Sequence, residues 1–264
     1  MIPLTALGRT ALTSARTLLA LAVLLGLWEL YVDTGGADPL ILPPPHAVAS
    51  SLYDDRALLW SNFVVTAGEV LLGILLAAVA ALGAAVAMHF FLTLRRTLYP
   101  LLIASQTVPV PLLAPVLVLW LGFGLLPKLI VVALVSFFSI VVTTLAGLAS
   151  IDPDLIKLMR TFDASRWRTF RHVELPAALP GVFTGTKIAV IVAVIGAVFA
   201  EQSGASSGLG YLFEQSIPQL LTARAYAAVV ILSLFAIALF AVLTLAERLT
   251  LPWAHQPPGD RPSS

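Results

Sequence analysis

The chain of 264 residues contains no cysteine, and only 11 % of its residues are charged. Without cysteine it has no disulfide, no thiolate nucleophile and no cysteine-based metal site. A soluble domain usually carries about 25 % charged residues, so an ordinary soluble protein is excluded. Fifteen Lys and Arg residues and fourteen Asp and Glu residues give a net charge of +1. That balance excludes the basic surface typical of nucleic-acid binding, so we expect no nucleic-acid partner.

Catalytic motifs are also lacking. The four histidines, His46, His89, His172 and His255, are scattered along the chain, and none belongs to an HExxH pattern. We assign no nucleophile elbow, and no GxxxxGK[ST] phosphate-binding loop occurs. The sequence therefore favours a protein that is not an enzyme and binds no metal. A membrane enzyme whose histidines meet only in the fold stays a minor alternative.

Long apolar runs are what the chain has instead, with 59 % hydrophobic residues and a mean hydropathy of +0.98. Because a helix crosses the bilayer with about 20 apolar residues, we predict an all-α polytopic membrane protein with about six transmembrane helices. One membrane domain is expected over residues 1–251, followed by a disordered cytoplasmic tail, 252–264. The predicted spans are 12–32, 63–90, 98–123, 126–149, 182–200 and 225–246.

The distribution of basic residues predicts the orientation. If both termini are cytoplasmic, twelve of the fifteen Lys and Arg residues lie on the inner side. The outer side then keeps only Arg56, Lys128 and Arg224. This asymmetry follows the positive-inside rule and favours an even number of spans.

Three prolines mark the third span. Pro109, Pro111 and Pro115 each lack a backbone N–H donor, so this helix must bend or break. Bilayers tolerate such a break only where protein or water reaches the freed carbonyls. We therefore expect the third span to face the interior of the bundle.

A charged segment, residues 150–181, separates the fourth and fifth spans. Asp152 and Pro153 are typical of a helix start, and a helix over 153–162 would have one apolar face. Asp163 or Ser165 would cap a second short helix that ends near Leu175, before Pro176. Charge and periodicity alone leave two interpretations open: a hairpin lying on anionic lipid, or a docking element for a cytoplasmic partner. The predicted apolar face consists of Leu155, Leu158, Met159 and Phe162.

The second half of this segment, DASRWRTFRHVELPAALPG, resembles the cytoplasmic loop of binding-protein-dependent ABC importer permeases of the type I (MetI-like) fold. Further matching stretches are ILPPP before the second span, YPLLIASQTVPVPLLAPVLVLWLGFGLLPK over 99–128 and GASSGLGYL over 204–212. They are similar to the branch that serves nitrate, sulfonate, taurine and pyrimidine precursors of thiamin. The ending ERLTLPW resembles the thiamin-precursor subgroup most.

The resemblance implies a permease subunit of the bacterial inner membrane that imports a small polar organic molecule: a pyrimidine precursor of thiamin, or else a sulfonate, taurine or nitrate. Its implied partners are two cytoplasmic ATP-binding subunits, an external substrate-binding protein docking near Asp54 and 206–224, a second permease copy forming a homodimer, and membrane lipid. This chain would bind no cofactor, and ATP and Mg²⁺ would belong to the partner. Contact with that ATPase is implied for Lys157, Arg160, Asp163, Ala164, Ser165, Arg166, Trp167, Phe170, Leu175, Pro176, Leu179, Pro180 and Gly181.

Two positions depart from the family pattern. Lys157, Leu158 and Met159 occupy the EAA triplet, and Asp163 replaces the expected glycine. Glycine would supply a left-handed joint, which aspartate adopts less readily although it caps a following helix well. The acidic contact to the ATPase is therefore absent in its usual form.

Polar residues within the spans are the pathway candidates, because ionisable groups in lipid are costly and mark function. Glu69 is expected either to pair with Lys187 or another polar group, or to line the pathway. Glu201 and Glu29 are near outer ends, where solvation is the simpler explanation, and His89 is expected to snorkel. An ion-coupled secondary transporter using Glu69 and Glu201 is the alternative function. The candidates are Glu69, Gln106, Ser139, Thr143 and Glu201.

Overall fold

A computed structural model describes residues 4–255, leaving out the side chains of residues 4–15, 18 and 255. The described chain is helical and contains no strand, which confirms the all-α prediction. Its helices are α1 (Leu4–Asp33), α2 (Pro45–Asp54), α3 (Arg56–Phe90), α4 (Leu92–Ser105), α5 (Val110–Leu121), α6 (Leu125–Ala149), α7 (Pro153–Thr161), α8 (Arg166–Thr169), α9 (Leu175–Gln202), α10 (Leu209–Ser216) and α11 (Thr222–Thr250). A π-helical turn, Phe170–Glu174, joins α8 to α9, and a 3₁₀ turn, Pro252–His255, follows α11.

Four helical stretches among the described residues are long and apolar enough to cross a membrane: α3, α6, the continuous helix Arg166–Gln202, and α11. A fifth is added if α4 and α5 form one broken span. The predicted first span lies within the 30-residue helix α1. Helices therefore occupy all six predicted positions, and the number of crossings stays a prediction.

The proline-rich third span is broken, as predicted. Its two halves, α4 and α5, meet at 101° across residues 106–109. Pro109 lacks the N–H that would continue the first helix, and it stands at the N-cap position of α5. The predicted inward orientation is not met within this chain. Among described residues α4 has no buried side chain and α5 has only Ala114, whereas Leu119 and Trp120 are 83 % and 79 % exposed.

The chain divides into two compact units. In the first, residues 1–61 and 212–230, helix α1 contacts α2, and Trp28 packs against Tyr226 with ring centroids 6.0 Å apart. The second comprises 62–211 and 231–264. Of the predicted tail, residues 252–255 form a 3₁₀ turn and 256–264 lie outside the described residues, so the disordered tail stays a prediction.

Small residues bring α6 and α9 together at the centre of the second unit. Gly185 is buried against α6, where an added Cβ would stand 2.8 Å from the Ile140 Cα and 2.8 Å from the Ser139 carbonyl oxygen. One turn earlier, a Cβ on Gly181 would meet the Thr143 carbonyl oxygen at 2.6 Å. The Gly-xxx-Gly spacing thus lets two backbones approach closely, which is how membrane helices gain van der Waals contact.

Candidate functional site

Helix α7 carries the predicted apolar face on the cytoplasmic segment. Its start is as predicted, because the Asp152 side chain accepts a hydrogen bond from the Asp154 backbone N–H at 2.9 Å. Leu155, Leu158 and Phe162 are 49 %, 51 % and 71 % exposed. Most of the apolar face is therefore not packed against any other part of the described chain.

The joint after α7 adopts the conformation that the family glycine would provide. Asp163 has a φ of +52°, in the left-handed region, which aspartate tolerates better than most residues. The cap of the next helix is Ser165, whose hydroxyl accepts from the Arg168 N–H at 3.3 Å. Of the two capping candidates, Ser165 is thus the one used.

The predicted helix end near Leu175 is wrong. The chain continues as one helix from Arg166 to Gln202, through both Pro176 and Pro180. Pro176 is tolerated because it directly follows the π turn Phe170–Glu174, where the regular backbone hydrogen-bond pattern changes, whereas Pro180 lies inside α9. The charged segment 150–181 therefore runs without a break into the helix of the predicted fifth span.

An aromatic cluster packs this segment against the end of α3. Phe170 is 3 % exposed, with its ring centroid 5.1 Å from that of Phe90 and 5.5 Å from that of Trp167. Arg166 donates to the Phe90 carbonyl oxygen at 3.0 Å and lies over the Phe90 ring, satisfying one of the last carbonyls of α3. Phe170 is therefore an internal anchor and not part of an exposed docking surface.

His89 adds a polar contact where the charged segment packs against the end of α3. Its Nε2 lies 2.8 Å from the Glu174 Oε2, and both side chains are largely buried. The expectation that His89 snorkels is therefore wrong. A hydrogen bond between α3 and the π turn holds the imidazole in place.

The remaining coupling candidates fall into two groups. Exposed positions include Lys157, which pairs with Asp154 at 2.7 Å, and Arg160, Asp163, Ser165, Arg166, Trp167 and Leu175. Partly buried positions are Ala164, Pro176, Leu179, Pro180 and Gly181. The first group is available to a partner, whereas Gly181 packs on α6.

The pathway candidate Glu69 is 2 % exposed and pairs with Lys128, whose Nζ lies 2.5 Å from the Glu69 Oε1. Its suggested partner Lys187 instead binds the Glu247 Oε2 at 2.7 Å. Glu201 is fully buried, so solvation at an outer end does not describe it. Both acidic candidates belong to a closed polar network.

Glu201 organises the loop before α10. Its carboxylate accepts from the Thr66 hydroxyl and from the Gly210 N–H, both at 2.6 Å. A Cβ on Gly208, which has a φ of +122°, would stand 2.2 Å from the Glu201 Cδ. The GLG motif is therefore required by the carboxylate beneath it.

Residues 204–208, GASSG, also match the spelling GxSxG, but within the described chain no strand precedes them, so they form no nucleophile elbow.

The other candidates are separate from this network. Gln106 is exposed at the bend between α4 and α5 and lines a cavity of about 220 Å³. Thr143 donates to the Ser139 carbonyl oxygen at 2.7 Å and lies against Gly185. Glu69 lies one helical turn after Thr66, which binds Glu201, so the structure makes these two acids neighbours. It also brings Ser139 and Thr143 together but leaves Gln106 apart.

In the first unit, Asp54 and residues 220–224 line one cavity of about 690 Å³. At its wall Arg224 binds Asp55 in bidentate fashion, with distances of 2.9 and 2.7 Å. This guanidinium, helped by the Ser51 hydroxyl, holds the pKa of the Asp55 carboxyl below its usual range. Glu29 contacts the His46 imidazole and raises its pKa.

Comparison with known proteins decides the family. Residues 58–253 match the family model of the binding-protein-dependent transport system inner membrane component. The chain belongs to this family. It is 35 % identical to the formylaminopyrimidine transport permease protein ThiX of Halalkalibacterium halodurans over 232 residues, covering 88 % of this chain and 92 % of that protein. Identity is 34 % over 235 residues with the riboflavin transport system permease protein RibX of Chloroflexus aurantiacus, covering 88 % of each.

The fold agrees with that membership. A crystal structure of an amino acid ABC transporter with histidines matches with a TM-score of 0.59 at 14 % identity, covering 76 % of this chain and 95 % of that one. The chain is thus a multi-pass permease subunit of an ABC importer. Membership implies an ATP-binding subunit and a substrate-binding protein as partners.

Several residues that form buried contacts in the permease were not predicted from its sequence. Lys128 counted only as an outer charge, although a lysine next to an apolar run signals a partner for a buried acid. Asn62 and Thr66 gave no signal, since Asn and Ser/Thr side chains are common between membrane helices. Glu174 gave no signal either, because one more charged residue does not stand out in a charged segment.

The Asp55 pair of the permease predicts a pH-dependent stability. Asp55→Asn should lower the free energy of unfolding at pH 7 by about 1 kcal/mol, because it removes a half-buried bidentate ion pair. The depressed pKa makes this contribution complete above the ordinary carboxyl value of about 4, and it is lost as pH falls through the lower folded-state pKa. The Tm difference from wild type should therefore shrink at about pH 3.

Thermal unfolding by intrinsic fluorescence at the two pH values measures this. The exposed neighbour Asp54 supplies the control, and Asp54→Asn should leave Tm nearly unchanged at both. A Tm difference for Asp55→Asn that is the same at both pH values would contradict the assignment.

Proposed function

We propose that this permease imports a small nitrogen heterocycle, with formylaminopyrimidine as the first candidate. Support comes from the names of two relatives, formylaminopyrimidine and riboflavin transport permeases, each aligned over 88 % of this chain. The motifs GASSGLGYL and ERLTLPW favour the same subgroup. Taurine, sulfonates and nitrate are the competing substrates.

The observation that carries ATP-driven transport is the exposed apolar face of α7 on a rigid connection. Leu155, Leu158 and Phe162 are uncovered in this chain, and Phe170 and Arg166 attach the following turn to α3. A helix that only lay on the lipid surface would need no such attachment to α3. A docked ATPase would move the continuous helix through Arg166–Gln202 as a lever, which is a hinge-type transition.

We further propose that two permease copies and two ATP-binding subunits form the transporter. The bent pair α4 and α5 supports a homodimer, since Leu119, Trp120 and Phe123 are each at least 79 % exposed and large apolar patches mark interfaces or lipid contact. The distribution of basic residues supports a cytoplasmic location for both termini. The ATPase site belongs to the partner, because this sequence has no phosphate-binding loop.

For the pathway we retain Gln106, Ser139 and Thr143 as proposed lining residues. Gln106 lines a cavity at the bend, next to the exposed face of α5. Glu69 and Glu201 are enclosed by their network in this conformation, so they would reach the pathway only after a rearrangement of α3 and α9.

Uptake by the reconstituted transporter tests the function. Proteoliposomes holding the permease, its ATP-binding subunit and its substrate-binding protein should accumulate labelled formylaminopyrimidine when ATP is supplied. A protonophore should leave uptake unchanged. Taurine uptake with the same proteins would replace the substrate assignment, and uptake that requires an ion gradient but no ATP would overturn the importer mechanism.

A further inference from the structure

Two buried carboxyl groups meet near the end of α3 that begins at Arg56. Glu69 on α3 is 2 % exposed and Glu201 on α9 is fully buried. Glu69 lies one helical turn after Thr66, whose hydroxyl donates to the Glu201 Oε1 at 2.6 Å, so the two carboxyls are neighbours. Among the described residues, the charged partner of this pair is Lys128 of α6, whose Nζ lies 2.5 Å from the Glu69 Oε1. With every group ionised, the site would hold a net charge of −1.

The hydrogen bonds leave one oxygen without a donor. Glu201 accepts from the Thr66 hydroxyl at Oε1 and from the Gly210 N–H at Oε2. Glu69 accepts from Lys128 at Oε1. Its other oxygen, Oε2, is buried and has no partner among the described residues. A buried acceptor without a donor is costly and calls for an explanation.

Ionised carboxylates are acceptors only, so two of them cannot hydrogen-bond to each other. Neighbouring like charges in a buried site are costly, and such carboxyl pairs retain one proton between them. We propose that Glu69 and Glu201 form a proton-binding site, in which one proton is held between the two carboxyls beside the Lys128 ammonium. The proton provides the missing donor and brings the net charge of the site to zero.

The same network fixes the start of α10, which gives the bound proton a structural consequence. The Asn62 Oδ1 accepts from the Gly208 N–H at 2.8 Å, and the Thr66 hydroxyl accepts from the Leu209 N–H at 2.8 Å. Thr66 in turn donates to Glu201. Loss of the proton would leave an uncompensated charge under the loop that these bonds hold.

Infrared spectroscopy of the permease in lipid nanodiscs tests the proposal. At neutral pH the wild type should show the C=O stretching band of a protonated carboxyl, identified by its shift in D₂O. Glu69→Gln and Glu201→Gln should each abolish the band, because the glutamine N–H₂ replaces the proton as donor and the other carboxyl stays ionised. For the same reason both variants should keep Tm within a few degrees of wild type.

Glu247→Gln is the matched control, since Glu247 binds Lys187 in a second buried acid and base pair, and it should leave the band in place. A wild type without the band, or a band that survives in both glutamine variants, would overturn the proposal. So would stabilisation by sodium over choline in a band-free wild type, which would indicate a metal cation in place of the proton. If a variant fails to fold, the wild type decides: its band must shift when glutamate carries a ¹³C-labelled carboxyl.

Discussion

Serine in place of Leu155, Leu158 and Phe162 should reduce ATP-driven uptake at least about a hundredfold. These side chains are the largest exposed apolar groups of α7 and the joint after it. Buried anchors of an interface typically contribute about 2 kcal/mol or more each, and every 1.4 kcal/mol changes affinity about tenfold. Losing three of them should release the ATP-binding subunit from the permease.

Folding of the triple variant should be unaffected, because none of the three side chains is buried within the chain. The measurement is co-purification of the ATP-binding subunit, together with uptake by proteoliposomes and the Tm of the permease alone. Leu234→Ser is the control: it is an exposed leucine on α11, outside the proposed docking and dimer surfaces, and it should leave co-purification of the ATPase intact. Continued ATPase binding by the triple variant would show that α7 is not the docking surface.

Gly185→Val should largely prevent the permease from folding. An added Cβ would lie 2.8 Å from the Ile140 Cα and 2.8 Å from the Ser139 carbonyl oxygen. Both are backbone atoms of α6, so no side-chain rotation relieves the clash. Overpacking typically costs about 1–3 kcal/mol, and separating the backbones of α6 and α9 should cost more, since it also breaks the contacts of Ala189 and Ala193 farther along the buried face of α9.

Gly83→Val provides the comparison for this clash. Gly83 lies in α3, is exposed, and an added Cβ there meets nothing within 4 Å. That variant should give normal amounts of monodisperse protein in detergent, whereas Gly185→Val should give aggregate or no protein. Equal yields and equal Tm values for the two variants would show that α6 and α9 do not pack as closely as described.

The helical framework was predictable because hydropathy is a local property. Runs of about 20 apolar residues predict spanning helices without knowledge of their neighbours, and each predicted run is helical. The break at Pro109 was predictable for the same reason, since a missing donor acts on its own helix. The cap at Asp152 follows from a single residue as well.

The path of the chain after Ser165 was not predictable from these rules. Pro176 normally ends a helix before it, but here the π turn Phe170–Glu174 sits directly before its helix. That turn is held by Phe170 in the aromatic cluster and by Glu174 on His89. Tertiary contacts thus overrode a local preference, and a hairpin became the start of a span.

By itself, the sequence determined the class of this protein: an all-α membrane permease of the ABC importer family, with a charged segment that carries an apolar face. Only the tertiary structure decided which buried charges meet. Glu69 binds Lys128 across 59 residues of sequence, and Thr66 binds Glu201 across 135. Such pairs form because an ionisable group in a dry interior needs a partner of the right chemistry within a few ångströms, and sequence separation carries no information about which group the fold brings there.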